Sequence, residues 1–217
     1  MRKERAVRKI KVIDTTLRDA HQCLWATRMT TAMMLSAADR LDRAGFEAID
    51  LPCGAAHVDV TVRYLKENPW EKVRLLCRKI TRTPMYGAVH SRSGVGFGVV
   101  PDDIGLLWVE RLIANGMRRV RIFDPLADLD NIVCLLKLAK ELGAYTVGTL
   151  AYSYSPIHTD ELFREKTGEL IERAGVDAIL LKDAGGLLTP DRIRTLVPAM
   201  KQAMGNLPLE IHSHCVT

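Results

Sequence analysis

The fold is decided by the stretch Asp14-Thr15-Thr16-Leu17-Arg18-Asp19-Ala20-His21-Gln22. It follows a short apolar run, Ile10–Ile13, that predicts a β-strand. The stretch contains two carboxylates, one guanidinium, one imidazole and one amide, groups that bind metals and oxyanions. A strand that ends in such a cluster is typical of a parallel α/β barrel, which carries its active site at the carboxyl ends of its strands. A strand end that merely turns into solvent and caps a helix stays open as the structural alternative.

Downstream, short apolar runs alternate with longer helical patterns. The predicted later strands are Ala48–Leu51, Pro84–Val89, Val120–Phe123, Thr146–Leu150, Ala178–Leu181 and Leu209–Ile211. The predicted helices are Thr30–Arg43, Val58–Lys66, Asp102–Ala114, Leu129–Leu142, Asp160–Ala174 and Pro190–Met204, and Val73–Lys79 is ambiguous. This alternation indicates βαβ units with a parallel sheet. Seven strands in this rhythm predict a (β/α)₈ TIM barrel.

The alternative fold is an open, doubly wound sheet. Its phosphate-binding fingerprint is missing from the first strand–helix turn, and the glycine-rich segment 94–98 does not open a helix directly. A complete TIM barrel needs about 250 residues, and the chain has 217. We therefore expect a barrel truncated after strand seven, built from residues 10–217 behind a basic arm at residues 1–9. A longer polypeptide or a partner would supply the eighth strand.

Charge and composition narrow the class of function. The net charge of +5 is concentrated in residues 1–11, where six basic residues meet one acid. The remainder is near neutral and poor in aromatic residues, which argues against a nucleic-acid surface. The five cysteines lack CxxC spacing, which fits reduced thiols in a cytoplasmic protein. We expect no membrane span and no secretory signal.

A second cluster of candidate ligands lies at the other end of the chain. His212 and His214 alternate along a predicted strand, so both imidazoles point to one face, with their Cα atoms about 7 Å apart. Together with a carboxylate from another strand, they would suit a divalent cation. Lys182 follows four apolar strand residues, at the position where barrel active-site groups lie, although a surface ion pair would also explain it.

Five segments carry a resemblance to a known family: residues 14–29 (DTTLRDAHQCLWATRM), 123–131 (FDPLADLDN), 152–159 (YSYSPIHT), 181–190 (LKDAGGLLTP) and 210–215 (EIHSHC). In this order and spacing they resemble the carboxyltransferase domain of biotin-dependent enzymes. These enzymes are pyruvate carboxylase, the oxaloacetate decarboxylase α subunit and the transcarboxylase 5S subunit. Hydroxymethylglutaryl-CoA lyase and isopropylmalate synthase belong to the same superfamily of metal-dependent TIM barrels.

The resemblance implies roles for particular residues. The metal ligands would be Asp19, His212, His214 and Lys182, the last as a carbamate. Arg18 and Gln22 would bind the keto acid and, with Lys182, form the catalytic set; Arg18 can hold a carboxylate bidentately. The implied cofactors are a divalent metal (Zn, Mn or Co) and biotin carried on a partner domain or subunit. The implied partners are that biotin carboxyl carrier, a small 2-keto acid and further copies of the chain in a homo-oligomer.

The chain also departs from the family. His90 occupies the position of a substrate-binding arginine, so we take His90, or its neighbour Arg92, as the substrate contact there. The segment LPCGAA (residues 51–56) replaces a WGGATF-like segment. The family's biotin-proximal threonine lies beyond strand seven and is not Thr217. His21 and His158 are acid–base candidates with a structural role as the alternative, and we assign Cys215 to packing.

The expected function is metal-dependent carboxyl transfer between carboxybiotin and a pyruvate- or oxaloacetate-like keto acid, in a carboxylase or decarboxylase component. Two alternatives stay open. One is a biotin-independent lyase or synthase of the aldol type on the same barrel. The other is a truncated, non-catalytic relative.

Overall fold

The computed structural model describes residues 10–96 and 98–214. The predicted basic arm at residues 1–9, Cys215 and Thr217 lie outside the described residues. Nothing in the described part of the chain forms a helix long and apolar enough to cross a membrane.

Seven parallel strands form one sheet in sequential order. They are β1 (Ile13–Asp14), β2 (Ala48–Leu51), β3 (Met85–His90), β4 (Arg119–Asp124), β5 (Tyr145–Ala151), β6 (Ala178–Asp183) and β7 (Leu209–Ser213). Each strand pairs in parallel with the next along the chain. This order is that of a TIM barrel and excludes the doubly wound alternative, in which the strand order reverses at a switch point.

Helices connect successive strands. They are α1 (His21–Leu24), α2 (Thr31–Arg43), α3 (Ala55–Arg63), α4 (Pro69–Lys79), α5 (Asp102–Ala114), α6 (Val133–Glu141), α7 (Asp160–Ala174) and α8 (Pro190–Met204). Threonine hydroxyls cap three of them: Thr30, Thr159 and Thr189 each accept a backbone N–H from the first turn of α2, α7 or α8.

The period of two along each strand separates two apolar clusters. One set of side chains packs outward against the helices and includes Ile49, Ile122 and Leu181. The alternate set faces the inside of the curled sheet and includes Tyr86 and Leu180. Within the described residues, β1 and β7 are the two edges of the sheet.

The curl brings these edges towards each other. Asp19, which follows β1, lies 3.2 Å from the Nε2 atom of His214 at the end of β7. At the opposite end of the strands, Glu210 on β7 accepts hydrogen bonds from Tyr86 on β3 and Arg119 on β4. Polar contacts therefore join the two edges at the carboxyl end of the sheet, and they join β7 to β3 and β4 at the opposite end.

The structure corrects the predicted boundaries of β1 and α3. The first strand is Ile13–Asp14 rather than Ile10–Ile13, because pairing with β2 begins only at Ile13. Helix α3 is Ala55–Arg63 rather than Val58–Lys66. Gly54 provides its extended N-cap, and the positive φ of 57° at Lys66 is incompatible with a right-handed helix.

Two further helices differ from expectation. The ambiguous segment Val73–Lys79 belongs to the helix α4, which begins at Pro69 with Asn68 as its N-cap. The predicted helix Leu129–Leu142 divides into a 3₁₀ turn, Leu129–Asn131, and the helix α6.

Candidate metal centre

A single π-helical turn, Thr16–Ala20, places both Arg18 and Asp19 at the carboxyl end of β1. The carbonyl of Thr15 accepts from the N–H groups of Arg18, Asp19 and Ala20, at 3.1, 2.9 and 3.2 Å. Asp14 accepts from the backbone N–H and the hydroxyl of Thr16, so it supports the start of the turn. π-helical turns are rare and recur at functional sites.

Asp19, His212 and His214 form a cluster that could hold a metal ion. One ligand atom from each lies within 4.8 Å of the other two. Asp19 Oδ2 is 3.7 Å from His212 Nε2 and 3.2 Å from His214 Nε2, and the two imidazole centroids are 5.1 Å apart. Imidazole nitrogen and carboxylate oxygen are the donors that Zn²⁺ and similar divalent ions accept. The predicted ligands from the two ends of the chain are thus brought together.

The state of His212 fits a metal ligand. Its Nε2 atom is buried and has no hydrogen-bond partner among the described residues. Burial, together with the positive charges of Arg121 and Arg18, lowers the pKa of His212 to about 4. A neutral imidazole with an unpartnered nitrogen is the form that coordinates a cation. The donor set therefore fits a divalent ion.

Lys182 lies beside His212, because the two are register partners on β6 and β7. Its Nζ atom is 4.1 Å from the centroid of the Phe123 ring. Burial and the nearby Arg121 and Arg18 lower the pKa of Lys182 to about 8. A larger fraction of this lysine is therefore the neutral amine, which is the form that reacts with carbon dioxide.

Asp183 fastens the loop after Lys182. It accepts from the backbone N–H groups of Leu187 and Leu188 and from the hydroxyl of Ser213. Ser213 lies between His212 and His214 at the end of β7, so this buried carboxylate links the end of β6 to the segment that carries both histidines.

Arg18 is held by two carboxylates. Its Nε atom donates to Asp50 Oδ2 at 2.6 Å, and its Nη1 atom donates to Asp19 Oδ1 at 2.5 Å. Asp50 is buried inside the sheet and also accepts from Arg121, at 2.6 Å. Although burial disfavours its charged form, Arg121 and Arg18 together lower the pKa of Asp50. The buried Nη2 atom of Arg18 has no partner within the described residues, so this atom is available to a ligand.

The other predicted substrate contacts are not all brought together. His90 packs against Phe123, with ring centroids 4.4 Å apart, and burial, Lys182 and Arg18 lower its pKa to about 4. Gln22 is exposed on α1. The Arg92 side chain forms an exposed ion pair with Asp102.

The two acid–base candidates differ in setting. His21 is buried against His57, with ring centroids 5.3 Å apart. His158 lies in the β5–α7 loop, where its Nδ1 atom is 2.7 Å from the hydroxyl of Ser155. Both positions are consistent with the structural alternative.

Asp50 and Arg121, which position Arg18, were not predicted from the sequence. A signal was available: Asp50 stands within the apolar strand Ala48–Leu51, and the arginines of Arg119–Asp124 alternate with apolar residues. A charged residue at an inward position of a parallel strand is rare unless it is paired.

The chain is similar to carboxylase subunits over nearly its whole length. No family model matches the sequence. The chain is 40% identical to a pyruvate carboxylase subunit from Methanocaldococcus jannaschii, over 96% of this chain and 36% of the relative. It is 36% identical to the 2-oxoglutarate carboxylase large subunit of Hydrogenobacter thermophilus, over 95% of this chain and 32% of the relative.

The fold of the chain is also similar to that of a solved carboxyl transferase domain. The carboxyl transferase domain of Rhizobium etli pyruvate carboxylase, determined with pyruvate and biocytin, matches with a TM-score of 0.88 at 28% identity. This match covers 95% of this chain and 36% of that one. The chain thus spans about a third of the length of the relatives it matches.

Proposed function

We propose that the chain is part of a biotin-dependent enzyme of the kind to which it is similar over nearly its whole length, and that it carries the metal-dependent carboxyltransferase site of that enzyme. In the carboxylating direction, the carbon next to the keto group loses a proton and a biotin ureido nitrogen gains one. The C–N bond of carboxybiotin breaks and a new C–C bond forms. The decarboxylating direction reverses each change.

The observation that carries the proposal is the convergence of Asp19, His212 and His214 from opposite edges of the sheet. A divalent ion bound there would polarise the carbonyl of a 2-keto acid. The unpartnered Nη2 atom of Arg18 supports a role for this residue in binding the substrate carboxylate. Because Nε and Nη1 are already engaged by Asp50 and Asp19, this contact would use Nη2 rather than a bidentate fork.

Three other residues have proposed roles around the same site. Lys182 would become a carbamate and act as an oxygen ligand, which a mass increase that is lost on acid treatment would reveal. His90, with Phe123 behind it, would form a wall for the keto acid. Gln22 is exposed on α1, three residues after Asp19, and would contact the substrate from the solvent side.

The proposed substrate and partners are drawn from the relatives. Pyruvate and 2-oxoglutarate are the keto acids for which the two relatives are named, so we propose a small 2-keto acid. A carrier domain or subunit would deliver the biotin in a cytoplasmic assembly that contains more than one copy of the chain. Zinc, manganese and cobalt are the candidate ions.

Carbon dioxide release from oxaloacetate tests the proposal. The metal-loaded chain would be assayed with and without biocytin, and the same metal without protein gives the background. We expect biocytin-dependent release, and Asp19→Asn should reduce it and weaken metal binding more than about 100-fold. Asp14→Asn, which keeps an acceptor for Thr16, should stay within about threefold of wild type.

Each outcome separates one of the functional classes. Metal binding with turnover that ignores biocytin would instead support an aldol-type lyase or synthase. A chain that binds no metal would contradict both enzymatic functions and leave the non-catalytic alternative.

A further inference from the structure

The carbonyl of Arg18 accepts two hydrogen bonds, and one comes from a residue distant in sequence. The backbone N–H of His21, which directly follows the turn, donates the other. The Nε2 atom of His57, on α3, lies 3.1 Å from the same oxygen. We propose that His57 is a positioning residue that sets the Arg18–Asp19 turn, and thereby the metal carboxylate and the substrate guanidinium together. The metal-binding part of this inference rests on the proposed function.

His57 is fixed from its own side. It lies in the first turn of α3 and is 3% exposed. The helix begins at Gly54, where an added Cβ atom would lie 3.3 Å from the carbonyl of Ala88 on β3. The start of α3 is thus seated closely against the sheet, and His57 transmits that position to the end of β1.

The polarity of the contact is determined by its partner. A carbonyl oxygen only accepts, so the Nε2 atom of His57 must carry the proton. Burial lowers the pKa of His57 to about 4, which leaves a neutral ring with one N–H donor. The same ring packs against His21, the residue that directly follows the turn. His57 therefore contacts both the turn and the residue that ends it.

A contact from outside the turn matters because the hydrogen bonds within the turn converge on one acceptor. Three N–H groups share the single carbonyl of Thr15, so they compete for its two lone pairs. Arg18 and Asp19 are consecutive, so a rotation of the peptide between them would displace both side chains. Loss of the His57 contact would therefore weaken two functions at once.

Three variants test this positioning role. His57→Leu keeps bulk but removes the donor, and His57→Gln keeps an N–H donor on a side chain of similar reach. Thr61→Val is the matched control, because Thr61 is also buried on α3 and its hydroxyl accepts from Lys72 rather than contacting the turn. Thermal unfolding identifies any variant that does not fold.

The first measurement is hydrogen–deuterium exchange of the Thr16–Ala20 amides in the metal-free chain, which does not depend on the proposed function. We expect faster exchange in His57→Leu, with His57→Gln and Thr61→Val close to wild type. The second is Mn²⁺ affinity by calorimetry, for which His57→Leu should be weaker by about tenfold and His57→Gln should restore most of the loss.

Two results would overturn the inference: unchanged exchange in folded His57→Leu, or equal effects in His57→Leu and Thr61→Val. If wild type binds no Mn²⁺, the proposed function fails, and the exchange measurement still decides whether His57 positions the turn. If wild type binds Mn²⁺ and His57→Leu binds it equally well, the inference fails while the proposed function stands.

Discussion

Asp50 shows how single residues prepare this site. It is fully buried, and its Oδ2 atom accepts from both Arg18 and Arg121. Removal of one partner from a buried ion pair is costly, because it leaves charge in the interior without compensation. Here one carboxylate compensates two guanidinium groups, so its loss would affect both.

Asp50→Asn should therefore destabilise the chain by about 3–5 kcal/mol. The variant keeps the shape of the side chain but leaves Arg18 and Arg121 without their shared anion. Urea unfolding at neutral pH measures the change. Asp191→Asn is the control, because Asp191 pairs with Arg194 on the surface, where both side chains are more than 70% exposed. It should change stability by less than about 0.5 kcal/mol, and equal effects of the two variants would contradict the account.

The sequence predicted candidate metal ligands but not the buried residues that hold them in place. His212 and His214 stand out by their spacing and residue types, whereas only the family resemblance favours Asp19 over Asp14. The structure brings Asp19, His212 and His214 together. His57 carries no comparable signal, because a histidine near a helix start gives no indication that it will meet a carbonyl from the preceding βα unit. Such a contact depends on how two loops pack, which local patterns do not encode.

Helices and strands were predictable where local signals were strong. The bounds of Ala48–Leu51, Asp102–Ala114, Asp160–Ala174 and Pro190–Met204 agree with the expected ones. The errors occurred where a neighbour decides. Strand β1 is limited to the residues that β2 can pair, and Ile10, at 86% exposed, lies beyond that edge although its residue type suits a strand.

Two glycines on the packed elements β5 and α7 should respond oppositely to alanine: one substitution should lower the free energy of unfolding and the other should raise it. A Cβ atom at Gly148 on β5 would lie 2.5 Å from Leu170 Cδ2 and 2.9 Å from Leu170 Cγ, so Gly148→Ala should push α7 outward and cost about 1–3 kcal/mol. Gly168→Ala, on α7 itself, meets only Ala203 at 3.8 Å. It should stabilise the helix by about 0.5–1 kcal/mol.

Chemical denaturation of both glycine variants checks these values. The pair is informative because the same substitution is made on two elements that pack together. A neutral or stabilising Gly148→Ala would mean that the β5–α7 contact is looser than described, and a destabilising Gly168→Ala would contradict the free space beside Gly168.

At the scale of the whole molecule, burial in the fold lowers the pKa of several histidines and keeps them neutral. His21 and His57 each have a pKa lowered from 6.5 to about 4, mainly by burial. The unfolded chain binds protons at these groups as the pH falls through 6.5, whereas the folded chain does not until about pH 4. Their contribution is therefore complete above pH 6.5 and is lost progressively between pH 6.5 and 4, at up to about 1.4 kcal/mol per pH unit for each histidine.

His57→Gln should consequently make this acid dependence shallower by one proton. Urea unfolding in metal-free buffer at several values between pH 7.5 and pH 5 gives the two slopes. His90 and His212 shift in the same direction and are present in both proteins, so they cancel in the comparison. An unchanged slope would mean that His57 is protonated in the folded chain.

The central claim at this scale is that the curled sheet assembles one metal site from its two edges. Anomalous diffraction from crystals soaked in Zn²⁺ tests it most directly. We predict one strong peak between Asp19, His212 and His214, at about 2.0–2.2 Å from a carboxylate oxygen and two imidazole nitrogens, and its loss in Asp19→Asn. Density for zinc elsewhere with none among these three side chains, or a peak that persists unchanged in Asp19→Asn, would contradict it.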